Sequence, residues 1–483
     1  MKGPVDRPSD FSSLINTDIT TGFIVMTSLN GLDNLLPELF PIIASHLPLY
    51  ATPSTLLSLA LVKRHISEIV LPILYWCLIL KNEDDALGMI HRLLGLTVRQ
   101  LHIMSDLSVE TRDGRNPFDV VTGLKEVIKL GLLPNIHNLG LYLLSGWHYD
   151  EEYELVEGYG DLRADFWDDV REKCPRLKGI ILNNIGDIEG DRWLEDCGLY
   201  DIQGITSLTL LQSFFPGSER GHAKLMEIFK ALAHSLHTLS FSQLGDDWLS
   251  ASSFFALDFP NLKALTLNYH VVEDALEAMA FWKRHPTIES LELKESSPTN
   301  RYFTNDLDLD FLPNLCYLKA DYHDVRLLAP ILHRLIGLEI DNSVNAQIPY
   351  LLRFVLPQGL PNLKSLSIGQ YPSSSSKNER TEGALWFETE DGEFMEKKDW
   401  RSSTHVYGDY YLHSIARGAP NLIELAMDAF FDKARQFVDA SAKFASFGCL
   451  ERLYLRNFNR KFIRLESSHR EIWSIGSHSL ASA

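Results

Sequence analysis

Phe259-Pro260-Asn261-Leu262-Lys263-Ala264-Leu265-Thr266-Leu267 carries a phrase, apolar-x-x-apolar-x-apolar, that decides how most of this chain folds. Its apolar positions are Leu262, Leu265 and Leu267, with Pro260 two residues ahead of the first. Working outward, the phrase recurs toward the C-terminus at Ile288, Leu291, Leu293; Leu315, Leu318, Ala320; Leu335, Leu338, Ile340; Leu363, Leu366, Ile368; Leu422, Leu425, Met427; and Leu450, Leu453, Leu455. Toward the N-terminus it recurs at Leu236, Leu239, Phe241; Ile205, Leu208, Leu210; Leu177, Ile180, Leu182; Ile136, Leu139, Leu141; and Val98, Leu101, Ile103, twelve copies in all. The last two apolar residues of each phrase have the two-residue alternation of a strand that presents one face to a core. A single short strand cannot bury that face, so neighbouring copies must stack.

The segments between phrases supply a second layer. Glu219–Ser235, Glu273–His285, Asp324–Arg334, Asn345–Val355, Asp409–Arg417 and Asp432–Phe447 carry apolar stripes at helical spacing, as at Leu225, Ile228, Phe229 and Leu232. Strand and helix in alternation predict an α/β chain, a curved solenoid of parallel strands with helices on its outer face. From Ile205 to Leu363 the first positions lie 31, 26, 26, 27, 20 and 28 residues apart, close to the repeat length of leucine-rich repeats. Residues 96–465 resemble a leucine-rich-repeat protein, irregular in that the family's Asn or Cys three residues past the last Leu is replaced by residues such as His270, His323 and Ser343. Those loops must close in another way. Two acidic insertions interrupt the period, near 150–169 and 372–400; the first holds nine acids against Arg163 alone, with Phe166 and Trp167 among its aromatics. Both are expected as loops at a binding edge. Residues 466–483 read as a tail.

Residues 1–31 read as a poorly ordered leader, and residues 32–95 as a separate helical module. Leu36, Leu39, Phe40, Ile43 and Leu47 lie at helical spacing; Pro41 is expected to delay or kink that helix. Ser54 opens a second helix and Ile69–Leu80 is expected as a third, with Pro72 in its first turn. That third run is apolar on all sides, so three short helices leave more apolar surface than they can cover for one another. Asp84–Leu94 has the pattern of a further helix.

Leu36-Pro37-Glu38-Leu39, Leu57-Ser58-Leu59-Ala60-Leu61-Val62-Lys63-Arg64 and Ile69-Val70-Leu71-Pro72-Ile73-Leu74-Tyr75 together resemble an F-box of the divergent fungal kind, with Lys63 and Ile66 where that family commonly has Ser and Trp. The resemblance implies docking to a Skp-type adaptor, and through it a cullin, by Leu36, Pro37, Leu39, Ile43, Leu47, Leu57 and Val62. It implies that the repeats C-terminal to the module recruit a protein substrate for ubiquitin ligation. The alternative is a repeat scaffold without a ligase, in which the helices cap the solenoid.

Composition narrows the remaining classes. Sixty-four acids against 45 bases give a net charge of −19, which argues against a general nucleic-acid binder. The twelve-residue run from Ile69 falls short of the ~20 apolar residues that span a bilayer, so no membrane partner is expected. Five scattered cysteines without a Cys-x-x-Cys pair point to free thiols in the cytoplasm or nucleus. No phosphate loop, His-Glu-x-x-His or Gly-x-Ser-x-Gly is present, so neither enzyme activity nor a cofactor or metal is expected. The candidate binding residues are instead the outward positions of the strands, including Thr266, Asn268, Glu292, Lys319, Asp321, Glu339 and Asp341. The end of the array is basic, with Arg452, Arg456, Arg460, Lys461 and Arg464 around Tyr454; Arg452, Tyr454 and Arg456 are the residues expected to touch substrate, since Arg beside aromatics favours interface hot spots.

Overall fold

The computed structural model describes residues 36–46, 52–81, 90, 95–106, 119–144, 162, 164–183, 198–213, 219–243, 252–268, 272, 274–294, 302–304, 307–343, 347–370, 386–388, 394–396, 412–428, 447–456 and 462–466. The chain divides into two compact units, Met1–Trp76 and Cys77–Ala483.

The first unit contains helices α1 (Leu39–His46), α2 (Thr52–Ala60) and α3 (Arg64–Leu74). Pro41 falls within the first turn of α1, where its missing N–H has no partner to lose, so the helix simply starts later than the apolar stripe does. Phe40, Leu56, Ala60, Ile66 and Val70 form the unit's own core, with Ala44, Leu59 and Ile69 packed against it. Ile66 is therefore a core residue. The expected third helix is corrected twice: α3 begins at Arg64, with Pro72 inside it near its end, and the run does not continue as helix to Leu80. Cys77–Lys81 is a strand, β1, of the second unit. A continuous apolar run conceals the change from helical to strand period, because both spacings are satisfied at once.

The second unit is organised on one sheet of fourteen strands in unbroken sequence order, apart from a small separate hairpin. After β1 come β2 (Gln100–Asp106), β3 (Asn138–Leu144), β4 (Gly179–Asn183), β5 (Ser207–Ser213), β6 (Thr238–Gln243), β7 (Ala264–Asn268) and β8 (Ser290–Lys294). Next are β9 (Tyr317–Asp321), β10 (Gly337–Ser343), β11 (Ser365–Gln370), the hairpin strands β12 (Trp386–Glu388) and β13 (Phe394–Glu396), then β14 (Glu424–Asp428), β15 (Arg452–Arg456) and β16 (Phe462–Glu466). Within the fourteen-stranded sheet every neighbouring pair is parallel except β15 with β16, and the separate hairpin of β12 and β13 is antiparallel. All twelve phrases lie in register. Leu101, Leu139, Ile180, Leu208, Leu239, Leu265, Leu291, Leu318, Leu338, Leu366, Leu425 and Leu453 form one continuous row across the sheet.

The helices Asp119–Lys129, Ala164–Lys173, Glu219–Leu232 and Ala275–Arg284 supply the opposite wall of one long core, as do Tyr322–Leu327 and the short turns Ala329–Arg334 and Leu351–Val355. Leu225, Ile228, Phe229 and Leu232 are buried as their spacing predicts. A chain of ring contacts ties successive repeats together: Phe229–Phe254 at 5.8 Å, Phe254–Phe281 at 5.4 Å, Phe281–Trp282 at 5.1 Å and Trp282–Phe303 at 5.8 Å between centroids. The first acidic insertion is partly corrected. Phe166 and Trp167 belong to the helix Ala164–Lys173 and are core residues, the indole N–H donating to the Leu162 carbonyl at 3.1 Å.

Backbone groups ahead of the strands are satisfied by a device repeated along the array. Two successive N–H groups of each repeat donate to one carbonyl of the repeat before, as Lys263 and Ala264 do to His237 and Glu289 and Ser290 do to Lys263. An asparagine just before the phrase adds a side-chain bond of the same sense: Asn135 to Leu96 O (2.9 Å), Asn261 to His234 O (2.7 Å), Asn314 to Pro286 O (3.0 Å), Asn362 to His333 O (2.9 Å) and Asn421 to Pro361 O (2.9 Å). The closing asparagine absent after the phrase is thus found before it.

Candidate docking surfaces

On α1, Phe40 and Ala44 face the small core, which turns Leu39, Ile42 and Ile43 outward. On α2, Leu56 and Ala60 face inward, while Leu57 and, in the turn beyond, Leu61 and Val62 face out. Of the residues expected to dock an adaptor, Leu36, Pro37, Leu39, Ile43, Leu57 and Val62 are exposed; Leu47 lies outside the described residues. Two further residues belong with them. Ile42 is 52% exposed, and Leu61, at 79%, is the most exposed large apolar residue described. Soluble monomers rarely leave so many large apolar side chains in water within one short segment. The chemistry available to this surface is apolar association.

The outward face of the sheet changes character along its length. In its central row β2 to β7 present His102, Gly140, Ile181, Thr209, Ser240 and Thr266, with no carboxylate among them. Gly140 is glycine because the His102 imidazole lies where a Cβ would stand, and that ring also meets Tyr142 at 5.9 Å. On β8 to β10 the same row reads Glu292, Lys319, Glu339, and on β11, β14 and β15 it continues as Ser367, Ala426 and Tyr454. The Lys319 ammonium is bonded to Glu339 and lies 3.7 Å from Glu292 and 3.8 Å from Asp341. Burial pulls its pKa down, but the hydrogen bond to Glu339 and the charges of Asp341, Glu339 and Glu292 outweigh that and leave it above the ordinary value. Thr266 donates to Glu292 at 3.4 Å. Asn268 and Asp321, expected among the binding residues at outward strand positions, are buried.

At the basic end, Arg452, Tyr454 and Arg456 are alternate residues of β15. Arg452 is bonded to Glu424 at 3.3 Å and stands opposite Glu466; Arg456 is in register with Asp428, and Tyr454 with Arg464. Strand β16 therefore brings Glu466 as well as Arg464 to this end, a pairing not foreseen from the sequence. Arg460 and Lys461 lie outside the described residues.

Cys174 is buried and its thiol is pushed up to about 12 by desolvation, which leaves it inert as a nucleophile. Cys449 is exposed. Among the described residues no group of three or more His, Cys, Asp and Glu side chains is placed to hold a metal ion, and no helix is long and apolar enough to cross a membrane.

No protein-family model matches the chain, and no curated protein matches it. Among solved structures, a chain of the crystal structure of the Rad7 and Elc1 complex in yeast is similar over 82% of this chain and 88% of its own, at 13% identity and a TM-score of 0.40. The fold assignment rests on the strand order and register of the sheet.

Proposed function

We propose that the chain is a substrate-receptor subunit of a cullin-type ubiquitin ligase, whose first unit docks on a Skp-type adaptor and whose repeats hold a protein substrate. The observation that carries this reading is the outward row of Leu36, Leu39, Ile42, Ile43, Leu57, Leu61 and Val62 on a unit that already has a core of its own. Those residues have no structural need to be apolar where they stand. Burying one such side chain in a partner contributes ~1.5–3 kcal/mol, so a few of them suffice for a stable complex. The chain would make no bond itself. It would hold a substrate near the ubiquitin-carrying machinery, which raises the effective concentration of the two reactants. The assignment places it in the cytoplasm or nucleus.

A repeat scaffold without a ligase is the second reading, and β1 favours it: part of the apolar run that called for a partner is a strand of the sheet. Capture of recombinant Skp-type adaptor by the full chain separates the two. Leu39→Asp with Ile43→Asp is expected to lower capture by more than tenfold, since truncated hot spots cost about 2 kcal/mol or more, and to leave the unfolding transition of the repeats in place. Undiminished capture, or none by the unaltered chain, sinks the ligase reading; unfolding of the repeats by the same pair of changes supports a cap.

A further inference from the structure

We propose that the N-terminal rim of β2 to β7 is a docking surface for an extended acidic polypeptide segment, rich in aspartate and glutamate; calling that segment a substrate rests on the receptor reading above, but the binding itself does not. The residues just ahead of these strands are neighbours in a ladder of backbone bonds, each N–H donating to the carbonyl of the one before. Along the ladder they read Arg99, His137, Lys178, Thr206, His237 and Lys263. All but Thr206 can carry a positive charge, in a chain whose net charge is −19. The first carboxylate on the ladder is Glu289, ahead of β8, and Lys263 is bonded to it at 2.9 Å.

The first part of the rim holds its charge unanswered. Arg99 donates to the Asn135 carbonyl at 3.2 Å and Lys178 to that of Gly204 at 3.4 Å, both neutral acceptors. Arg176, two residues before Lys178, adds a third cation. Among the described residues none of the three is paired with a carboxylate. His137 lies among them and registers the imbalance: burial first, and then the charges of Arg99, Arg176 and Lys178, all lower its pKa. The two rows of the sheet next to the rim, Gln100 to Ala264 and His102 to Thr266, contain no carboxylate. Like charges held together repel one another, and an anion laid across them relieves that repulsion.

An acidic segment of chain fits this rim better than a single anion or a nucleic acid does. Arg176, Lys178, His237 and Lys263 are exposed, so a lone ion there would stay in contact with water, where one ion pair contributes little. Strands ~4.8 Å apart put Arg99 and Lys263 roughly 24 Å apart, a span that about seven or eight extended residues cover. Several carboxylates on one such segment engage the cations together, and arginine can hold a carboxylate through two parallel bonds. A nucleic-acid duplex carries one charge per ~1.7 Å, and the net charge of −19 works against so dense a polyanion at longer range.

The test is fluorescence anisotropy of the full chain at low and moderate salt. Two labelled 12-residue peptides are used, one alternating Glu with Ser and the other Lys with Ser, and a labelled six-nucleotide single strand that matches the Glu peptide in charge. The Glu peptide is expected to bind, the Lys peptide not, and the single strand more weakly than the Glu peptide. In the variant Arg99→Gln, Arg176→Gln, Lys178→Gln, affinity for the Glu peptide should fall tenfold or more, while Arg326→Gln, Lys364→Gln, Arg417→Gln in the later repeats should leave it unchanged. That second triple controls for the net charge of the whole chain. Circular dichroism melting reports whether the first triple remains folded; if it does not, Arg176→Gln alone decides the matter, because that side chain makes no hydrogen bond among the described residues, with a loss of threefold or more expected. Equal affinity of the folded triple and the unaltered chain, equal loss in both triples, binding of both peptides, or no binding at low salt overturns the proposal. Tighter binding of the single strand overturns it in favour of a nucleic acid, and complete displacement of the peptide by a tenfold molar excess of inorganic phosphate overturns it in favour of a small-anion site. Adaptor capture by the first triple should be unchanged, so absence of capture by the unaltered chain counts against the ligase reading alone, and absence of peptide binding against this one alone.

Discussion

The repeats and the helical unit treat their apolar residues in opposite ways. In the repeats, the first and middle positions of every phrase are buried, from Val98 and Leu101 to Leu450 and Leu453. In the helical unit five residues form the core, and a larger number of big apolar side chains point away from it. An array covers each layer with the next, so apolar pattern and burial coincide; three short helices have an inside too small for their apolar content. Leucine in the array therefore reports folding, and leucine outside the small core of the helical unit does not.

Substitutions on the two sides of this contrast should differ widely in effect. Leu265→Ala is expected to cost ~2–5 kcal/mol, as cavity-forming truncations in close-packed cores do, and to lower the denaturant midpoint of the repeats. Gly359→Ala comes next. Gly359 has φ of +66°, and an added Cβ would run into the backbone carbonyl of Gly418, which also accepts the Leu360 N–H at 2.6 Å. Strain of this kind costs about 1–3 kcal/mol, and a melt indistinguishable from the parent's would show that the approach of residues 359 and 418 is not tight.

His285 allows the array to be perturbed by pH. Its Nδ1–H donates to the Phe281 carbonyl at 2.7 Å and its Nε2 accepts the Phe259 N–H at 2.8 Å, so the buried ring is held neutral between two repeats. Burial lowers its pKa; the Phe281 carbonyl and Asp258, 3.6 Å away, oppose that shift, and Arg284 adds to it. The unfolded chain then binds the proton more readily than the folded one, so stability is full above the ordinary histidine value of about 6.5 and falls as pH drops through that value toward the folded one. His285→Gln should flatten this part of the stability profile. Smaller again is Asn261→Ala, which removes one bond of the inter-repeat asparagine series and is expected to cost about 0.5–1.5 kcal/mol in the denaturant midpoint.

How much of the molecule is legible in its sequence depends on the same contrast. All twelve phrases are strands in register because a two-residue period with a buried face has one solution in a stacked array. The thirteenth parallel strand is present as Tyr75-x-x-Leu78-x-Leu80 but is hidden inside a run apolar at every position. The asparagine series is visible as Pro-Asn-apolar at 134, 260, 313, 361 and 420, yet its meaning is missed when the closing residue is sought on the other side of the phrase. Trp167 reads as a loop aromatic because its surroundings are acidic, and charge on the solvent side of a helix says little about the opposite side. On α1 and α2 the outward side can be only half chosen from the sequence. Both sides of each helix are apolar, and which one turns inward depends on how Phe40, Leu56, Ile66 and Val70 meet.

The smallest expected effect on stability is therefore the most informative. Leu61→Ser with Ile42→Ser replaces two large side chains that contribute nothing to the small core, and surface changes of that kind fall within about ±0.5 kcal/mol. If Leu61 and Ile42 contact the adaptor, the same pair of changes should weaken its capture by more than tenfold, because each removes an apolar side chain from what becomes an interface. Ile66→Ala should do the reverse, loosening the helical unit by ~2–5 kcal/mol while leaving every outward residue in place. Stability lost in the first variant would mean that Ile42 and Leu61 are covered within the chain, and the contrast between array and helical unit would fail at the residues that define it.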